Sequence, residues 1–296
     1  MSRLALAAVV FVTAIAVVGR ADEVSDKQKA VALEHIKTSE LKGYGVVESA
    51  TLILASPLPE TRSKAVAEAL EKTAKTARKG LQFGDKEDAW KGKLTVYHIP
   101  DRKLLGNFLR TVAGERSEVS FYVGVRGDEP YAASSAEAGP KASDADIAAD
   151  LGPAVGAAYF QSKAGPATSV PAWVRGAYGR AASLRSDAPT GKRLVSYKTA
   201  AKGTVLGKGR GPATLAEVWA GDRPDAELVA TSLLDYMAFG TDKMGQEKFT
   251  RFVSNLRPDE NGDSPEITKV VETAGWKWQE LENGWRSWAA KGMPVK

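Results

Sequence analysis

Apolar positions recur along the chain in two rhythms, and the change from one to the other divides it. In the first half, short apolar or alternating runs mark strands. Thr51–Leu54 reads as a buried strand closed by Pro57 and Pro59. Leu94–Ile99 alternates until Pro100, Val119–Val123 gives a third strand, and Tyr131–Ala133 a fourth. Between them Val66, Leu70, Thr73 and Ala77 return at helical spacing, with Gly80 at the position of a helix C-cap, and Leu104, Leu105, Phe108, Leu109 and Val112 form a second stripe. Lys27–Lys42 is mostly Lys and Glu and reads as a short polar helix with His35 exposed on it.

Beyond about residue 140 every stripe is helical. Ile147, Leu151, Val155 and Ala158 make one. Trp173, Ala177, Ala181 and Leu184 make the next, and Val229, Leu233, Tyr236 and Met237 another. Phe249, Phe252, Val253 and Leu256, then Ile267, Val270, Val271 and Ala274, continue the pattern until Trp278, Leu281, Trp285 and Trp288 close it. Strands first and helices afterwards is the order of an α+β fold. The expected organisation is an N-terminal strand-and-helix lobe over 22–140 and a helical lobe over 141–296. They form one two-lobed unit with its seam in the Ala-, Ser-, Gly- and Pro-containing stretch Ser134–Ser143.

Residues 1–21 are read apart from this fold. Arg3 precedes the apolar run Leu4–Val18, and Gly19-Arg20-Ala21 offers small residues at the −3 and −1 positions before Asp22. That is the pattern of a secretory signal peptide cleaved near Ala21/Asp22, and the run is shorter than the ~20 residues a membrane-spanning helix needs. The expected location is therefore secreted or periplasmic, with no integral membrane segment after cleavage.

Composition narrows the chemistry. The chain has 296 residues, no cysteine and two histidines, His35 and His98. Disulfides, cysteine-ligated zinc, iron–sulfur clusters and a cysteine nucleophile are excluded at once. His98 shares a strand face with Leu94 and Val96 and reads as a core or strand-end residue. No Gly-x-Ser-x-Gly elbow is present; a Ser-His-Asp set assembled in space remains open, with only these two histidines to serve it. The formal charge of +5 is spread along the sequence and points to no nucleic-acid partner. Gly203–Gly211 lacks the spacing of a phosphate loop and reads as a mobile basic surface loop which, with Lys198 and Lys202, is a weak candidate for touching an anionic polymer. Of the seven tryptophans, Trp278, Trp285 and Trp288 have core spacing, leaving Trp219 and Trp276 as the freer candidates for carbohydrate stacking. Asp144, Asp146 and Asp150 are the one carboxylate cluster. Acids at a helix start suit the helix dipole, whereas Asp146 and Asp150 at i, i+4 also have the spacing of a general acid/base pair or a weak cation site.

The central helix begins at Ser143-x-x-Asp146, which has the form of a capping box, and runs Asp146-Ile-Ala-Ala-Asp150-Leu-Gly-Pro153-Ala-Val155. The next opens Pro171-Ala-Trp173-Val-Arg-Gly176-Ala-Tyr178-Gly179, and a Trp-rich helix ends the chain. In this order of elements, over roughly Ala50–Trp288, the chain resembles the peptidase-MA-like proteins, relatives of the gluzincin metallopeptidases with a zincin-like fold. In that family the central helix carries His-Glu-x-x-His and the following helix a glutamate as third zinc ligand. The resemblance sets the histidine positions on Ala149 and Pro153, the catalytic glutamate position on Asp150 and the third ligand position on Gly176. None of Ala149, Pro153 and Gly176 has a side chain that can ligate a metal. Pro153 is expected to kink the helix or to make it restart near Gly152-Pro153.

The resemblance thus implies a secreted peptidase-like protein that has lost its zinc site, needs no cofactor and binds a peptide or other extended ligand in the cleft between its lobes. Asp146, Trp173 and Tyr178 are expected to line that cleft. Two alternatives stay open at this point: a metal-independent hydrolase using Asp150, and a structural envelope protein.

Overall fold

The computed structural model describes residues 23–116, 119–126, 129–136, 141–165, 170–208, 211–221, 223–257 and 265–295. The leader 1–21 and part of the Ser134–Ser143 seam lie outside the described residues. Among the described residues no helix is long and apolar enough to cross a membrane.

Five strands form one sheet in the order β1-β2-β3-β5-β4. They are β1 (Gly45–Glu48), β2 (Leu52–Ser56), β3 (Leu94–His98), β4 (Phe121–Arg126) and β5 (Glu129–Ser134). The central pairs β2–β3 and β3–β5 are parallel, with Leu54 opposite Val96 and Val96 opposite Ala132; the outer strands β1 and β4 are antiparallel to their neighbours. Period-2 alternation gives each face its own cover. Leu52, Leu54, Leu94, Val96 and Ala132 face α2 (Glu60–Gly80) and α4 (Asp144–Ala164). Ala55, Tyr97, Tyr131 and Ala133 cluster on the opposite face with Ala32 and Ile36 of α1 (residues 23–38) and with Leu105, Phe108 and Leu109 of α3 (Arg102–Phe108) and its continuing π turn, Leu109–Ala113. The N-terminal half is therefore a sheet between two helical layers.

The rest is helical: α5 (Ala172–Arg185), α6 (Lys192–Val205), α7 (Leu215–Ala220), α8 (Ala226–Asp235) running into a π turn at Tyr236–Gly240, α9 (Lys243–Ser254), α10 (Ile267–Thr273) and α11 (Trp278–Ala290). No strand follows residue 140 among the described residues, in keeping with the α+β reading. One hydrophobic cluster runs without a break from Val47 and Leu52 through α4 and α5 to Trp285, Trp288 and Met293.

Several local expectations change. His35 is only 4% exposed: its Nδ1 lies 2.6 Å from the Tyr97 hydroxyl, among the rings of Phe108 and Tyr131. Its Lys and Glu neighbours conceal that Ala32, His35 and Ile36 form the inward stripe of α1. Gly80 is the last residue of α2, with Leu81 as the cap. A Cβ at Gly80 would stand 2.6 Å from Phe239 Cζ and 2.7 Å from the Tyr178 hydroxyl, so close packing accounts for this glycine. Helix α6 extends through Gly203 to Val205, leaving a turn at 206–208 where the loop was expected; Gly209 and Arg210 lie outside the described residues. Trp276 is buried, and Trp219 packs edge-on against Trp173 and Trp278, so neither stands free for stacking.

Candidate functional site

The site is built on α4 and the helix that crosses it. At the start of α4 the Ser143 hydroxyl accepts from Asp146 N–H at 3.2 Å, and Asp146 Oδ2 accepts in return from Ser143 N–H at 3.3 Å, which completes the capping box; the Ser143 hydroxyl also donates to Asp146 Oδ2 at 2.6 Å. Asp144 accepts from Arg62 Nε at 2.7 Å. These two acids serve the helix end, and capping hydrogen bonds hold the Asp146 carboxyl below its usual range. Asp146 therefore does not line the cleft.

Pro153 neither ends nor restarts α4, which continues to Ala164. A proline removes the N–H that would bond the carbonyl four residues back. Here that carbonyl, Ala149 O, accepts instead from Ser183 Oγ of α5 at 3.3 Å. The two helices cross almost backbone to backbone. A Cβ at Gly179 would fall 2.1 Å from Pro153 O, and one at Gly156 would fall 2.8 Å from Gly179 Cα. Only glycines permit this approach, and it fixes Gly176, three residues before Gly179, relative to Pro153.

Between α4, α5 and the sheet lies a cavity of about 360 Å³. Ala149, Asp150 and Pro153 form its α4 wall, with Arg180 and Leu184 of α5 beside them. Phe121 of β4, with Ser120, Ser134 and Ser135, lines the sheet side, and Arg102, Arg193 and Glu227 stand at its rim. Gly176 opens toward the same place: a Cβ there would meet Phe121 Cζ at 3.3 Å and Arg180 Nη1 at 3.5 Å, two groups that line the cavity. The three positions singled out in the sequence thus converge on one region. A guanidinium lies against the bare α-carbon of Gly176. Arg180 Nε is 3.1 Å from Glu227 Oε1 and 3.1 Å from Thr231 Oγ1. Burial pulls its pKa below the ordinary arginine range, Glu227 pushes it back, and arginine in any case stays charged. Among the described residues no three His, Asp or Glu side chains lie close enough to hold a metal ion.

Two other expected members lie elsewhere. Tyr178 is wholly buried and donates to Ala77 O at 2.6 Å, because α5 turns this side chain toward α2. Trp173 is half-buried against Trp219, 4.7 Å between ring centres, and does not line the cavity. Arg180 was not singled out in the sequence. Its only signal there is its position four residues after Gly176, one helical turn along the same face.

The fold also assembles a Ser–His pair that spacing alone did not show. Ser56 Oγ is 3.0 Å from His98 Nδ1 across adjacent strands. Both residues are buried, His98 to 1% exposure, and neither lines the cavity. Burial, aided by the nearby Arg62 charge, lowers the His98 pKa to about 4. A neutral, enclosed imidazole of this kind is a packing element and is not placed to activate a nucleophile toward a substrate.

Comparison of the chain with protein-family models and with curated proteins finds no match.

Proposed function

We propose that the chain is an exported, zincin-like protein that has lost its metal site and uses the cleft between sheet and helices to bind an extended peptide without cleaving it. The observation that supports this reading is that Ala149 and Pro153 line one cavity and that a side chain at Gly176 would meet Phe121 and the Arg180 guanidinium, which line it too. Zinc needs lone pairs at roughly 2.0–2.2 Å from nitrogen or oxygen ligands. A methyl group, a pyrrolidine ring and a hydrogen atom offer none, and a fixed guanidinium repels a dication at close range. Without a metal, Asp150 has no bound water of lowered pKa to activate. An extended ligand is favoured because β4, whose Phe121 lines the cleft, is an outer strand of the sheet and, among the described residues, has a neighbour on one side only. Such an edge can add a peptide strand through main-chain hydrogen bonds.

The test is the metal content of the purified protein, measured together with the fate of peptides incubated with it. The expected result is substoichiometric zinc and peptides recovered intact. Stoichiometric zinc with chelator-sensitive proteolysis overturns the reading.

A further inference from the structure

A second, larger depression of about 710 Å³ shares Arg102 and Ser120 with the cleft. Its floor is the outer face of α3 and the π turn that follows. Lys103, Gly106 and Arg110 recur there at helical spacing, and Leu105, Phe108 and Leu109 on the opposite face enter the core. Gly106 leaves open space between the two basic side chains, since a Cβ there would meet nothing within 4 Å. Arg116 closes the far side. Among the described residues the four charged side chains of the lining, Arg102, Lys103, Arg110 and Arg116, are basic. Among the described residues Lys103, Arg110 and Arg116 have no ion-pair partner. A concave surface of one sign concentrates its field within the groove.

We infer that this groove binds an acidic peptide segment whose carboxylates lie on Lys103, Arg110 and Arg116. Its neighbouring, non-acidic residues then continue into the cleft beside Asp150 and Glu227; that continuation rests on the reading of the cleft as a peptide site. Guanidinium forks match carboxylates in geometry as well as in charge. Among the described residues the lining contains no aromatic ring on which a nucleic-acid base or a sugar can stack. A flat lipid surface does not reach into a depression whose one apolar liner among the described residues is Val119.

The test is fluorescence anisotropy at low salt with two labelled peptides, one of six glutamates followed by six uncharged residues and one with the uncharged part alone. The acidic peptide is expected to bind more tightly than the uncharged one and to weaken as salt is added. It is also expected to lose about tenfold or more in Kd in the triple variant Lys103→Ser/Arg110→Ser/Arg116→Ser, since exposed charge pairs of up to about 1 kcal/mol each are removed. These side chains are exposed, so the variant should keep the circular dichroism spectrum of the parent. An acidic peptide that binds no better than the uncharged one, or that ignores the triple substitution, overturns the groove assignment while leaving the cleft reading intact. Acidic-peptide binding that responds to the triple variant but not to Ala149→Trp, which fills the cleft, upholds the groove and removes the continuation into the cleft. A DNA oligonucleotide or anionic phospholipid vesicle bound more tightly than the acidic peptide overturns the choice of a peptide.

Discussion

His98 makes the stability of this protein depend on pH in a window that can be calculated. Its ring is enclosed between the end of β3, Ser56 and the start of α2; Nδ1 meets Ser56 Oγ at 3.0 Å, and Nε2 is buried without a partner. Adding a proton therefore places a cation in a desolvated site near the Arg62 guanidinium, which is why the pKa falls from 6.5 to about 4. In the unfolded chain the ring is free to take up the proton near pH 6.5. Between these values the unfolded state binds more protons, so the contribution is fully present above pH 6.5 and is lost as the pH falls toward 4. The total is about 3 kcal/mol, at up to about 1.4 kcal/mol per pH unit. Burial raises the Glu48 carboxyl, but its hydrogen bonds to Lys93, Ser25 and Lys29 outweigh this and lower it to about 2; it loses its contribution only below pH 4.5. Urea unfolding at half-unit steps from pH 7 to pH 5, compared between parent and His98→Gln, separates His98 from the other buried histidine, His35. The parent should lose about 2 kcal/mol across this range and His98→Gln should lose much less, whatever its absolute stability. A flat parent profile, or equal slopes in parent and variant, refutes the reasoning.

Three further outcomes follow from the packing. Gly179→Ala drives a methyl group to 2.1 Å from Pro153 O, so α4 and α5 must separate; the expected loss is about 2–3 kcal/mol in urea unfolding, and a neutral substitution would show that the helices do not cross at this distance. Arg185→Met strands the fully buried Asp235, which Arg185 grips at 2.7 and 2.9 Å, and should cost about 3–5 kcal/mol, whereas Lys64→Met, which removes an exposed pair with Glu60, should cost less than about 1 kcal/mol. Tyr178→Phe removes the 2.6 Å hydrogen bond to Ala77 O inside the core and should cost about 1–1.5 kcal/mol, measured as a shift of the urea midpoint at constant slope.

The parts of the fold that could be read from the chain are those whose buried stripe is uninterrupted. Strands β2 and β3 and helices α2, α4, α5 and α8–α11 bury apolar residues at the period of their own geometry. Helix α6 was missed although Leu194, Tyr197, Ala201 and Val205 are buried at helical spacing, because Lys198, Lys202 and Gly203 break the apolar appearance of the segment. Strand β1 buries one residue of four, Val47, and has too little pattern to register. His35 was misplaced because the side chains next to it in sequence are charged, whereas those next to it on the helix face are not. At the site, Ala149, Asp150, Pro153 and Gly176 came from a resemblance, and no periodicity marks them. Trp173 and Tyr178 were drawn into the cleft by their nearness in sequence to Gly176, yet a helix sends successive side chains to different faces. The basic groove went unnoticed because Arg102 and Arg116 come together only when α3, its π turn and the segment leading to β4 are in place.

The central claim is that the cleft keeps the geometry of a zinc site without its ligands, and restoring the ligands tests this most directly. The variant Ala149→His/Asp150→Glu/Pro153→His/Gly176→Glu, with Arg180→Ala to remove the guanidinium, supplies three protein ligands and leaves a fourth position open to water. Zinc is then measured by elemental analysis after dialysis, with circular dichroism to establish that the variant is folded. The account predicts about one chelator-removable zinc per chain in the variant and none retained by the parent. A folded variant that holds no more zinc than the parent contradicts it.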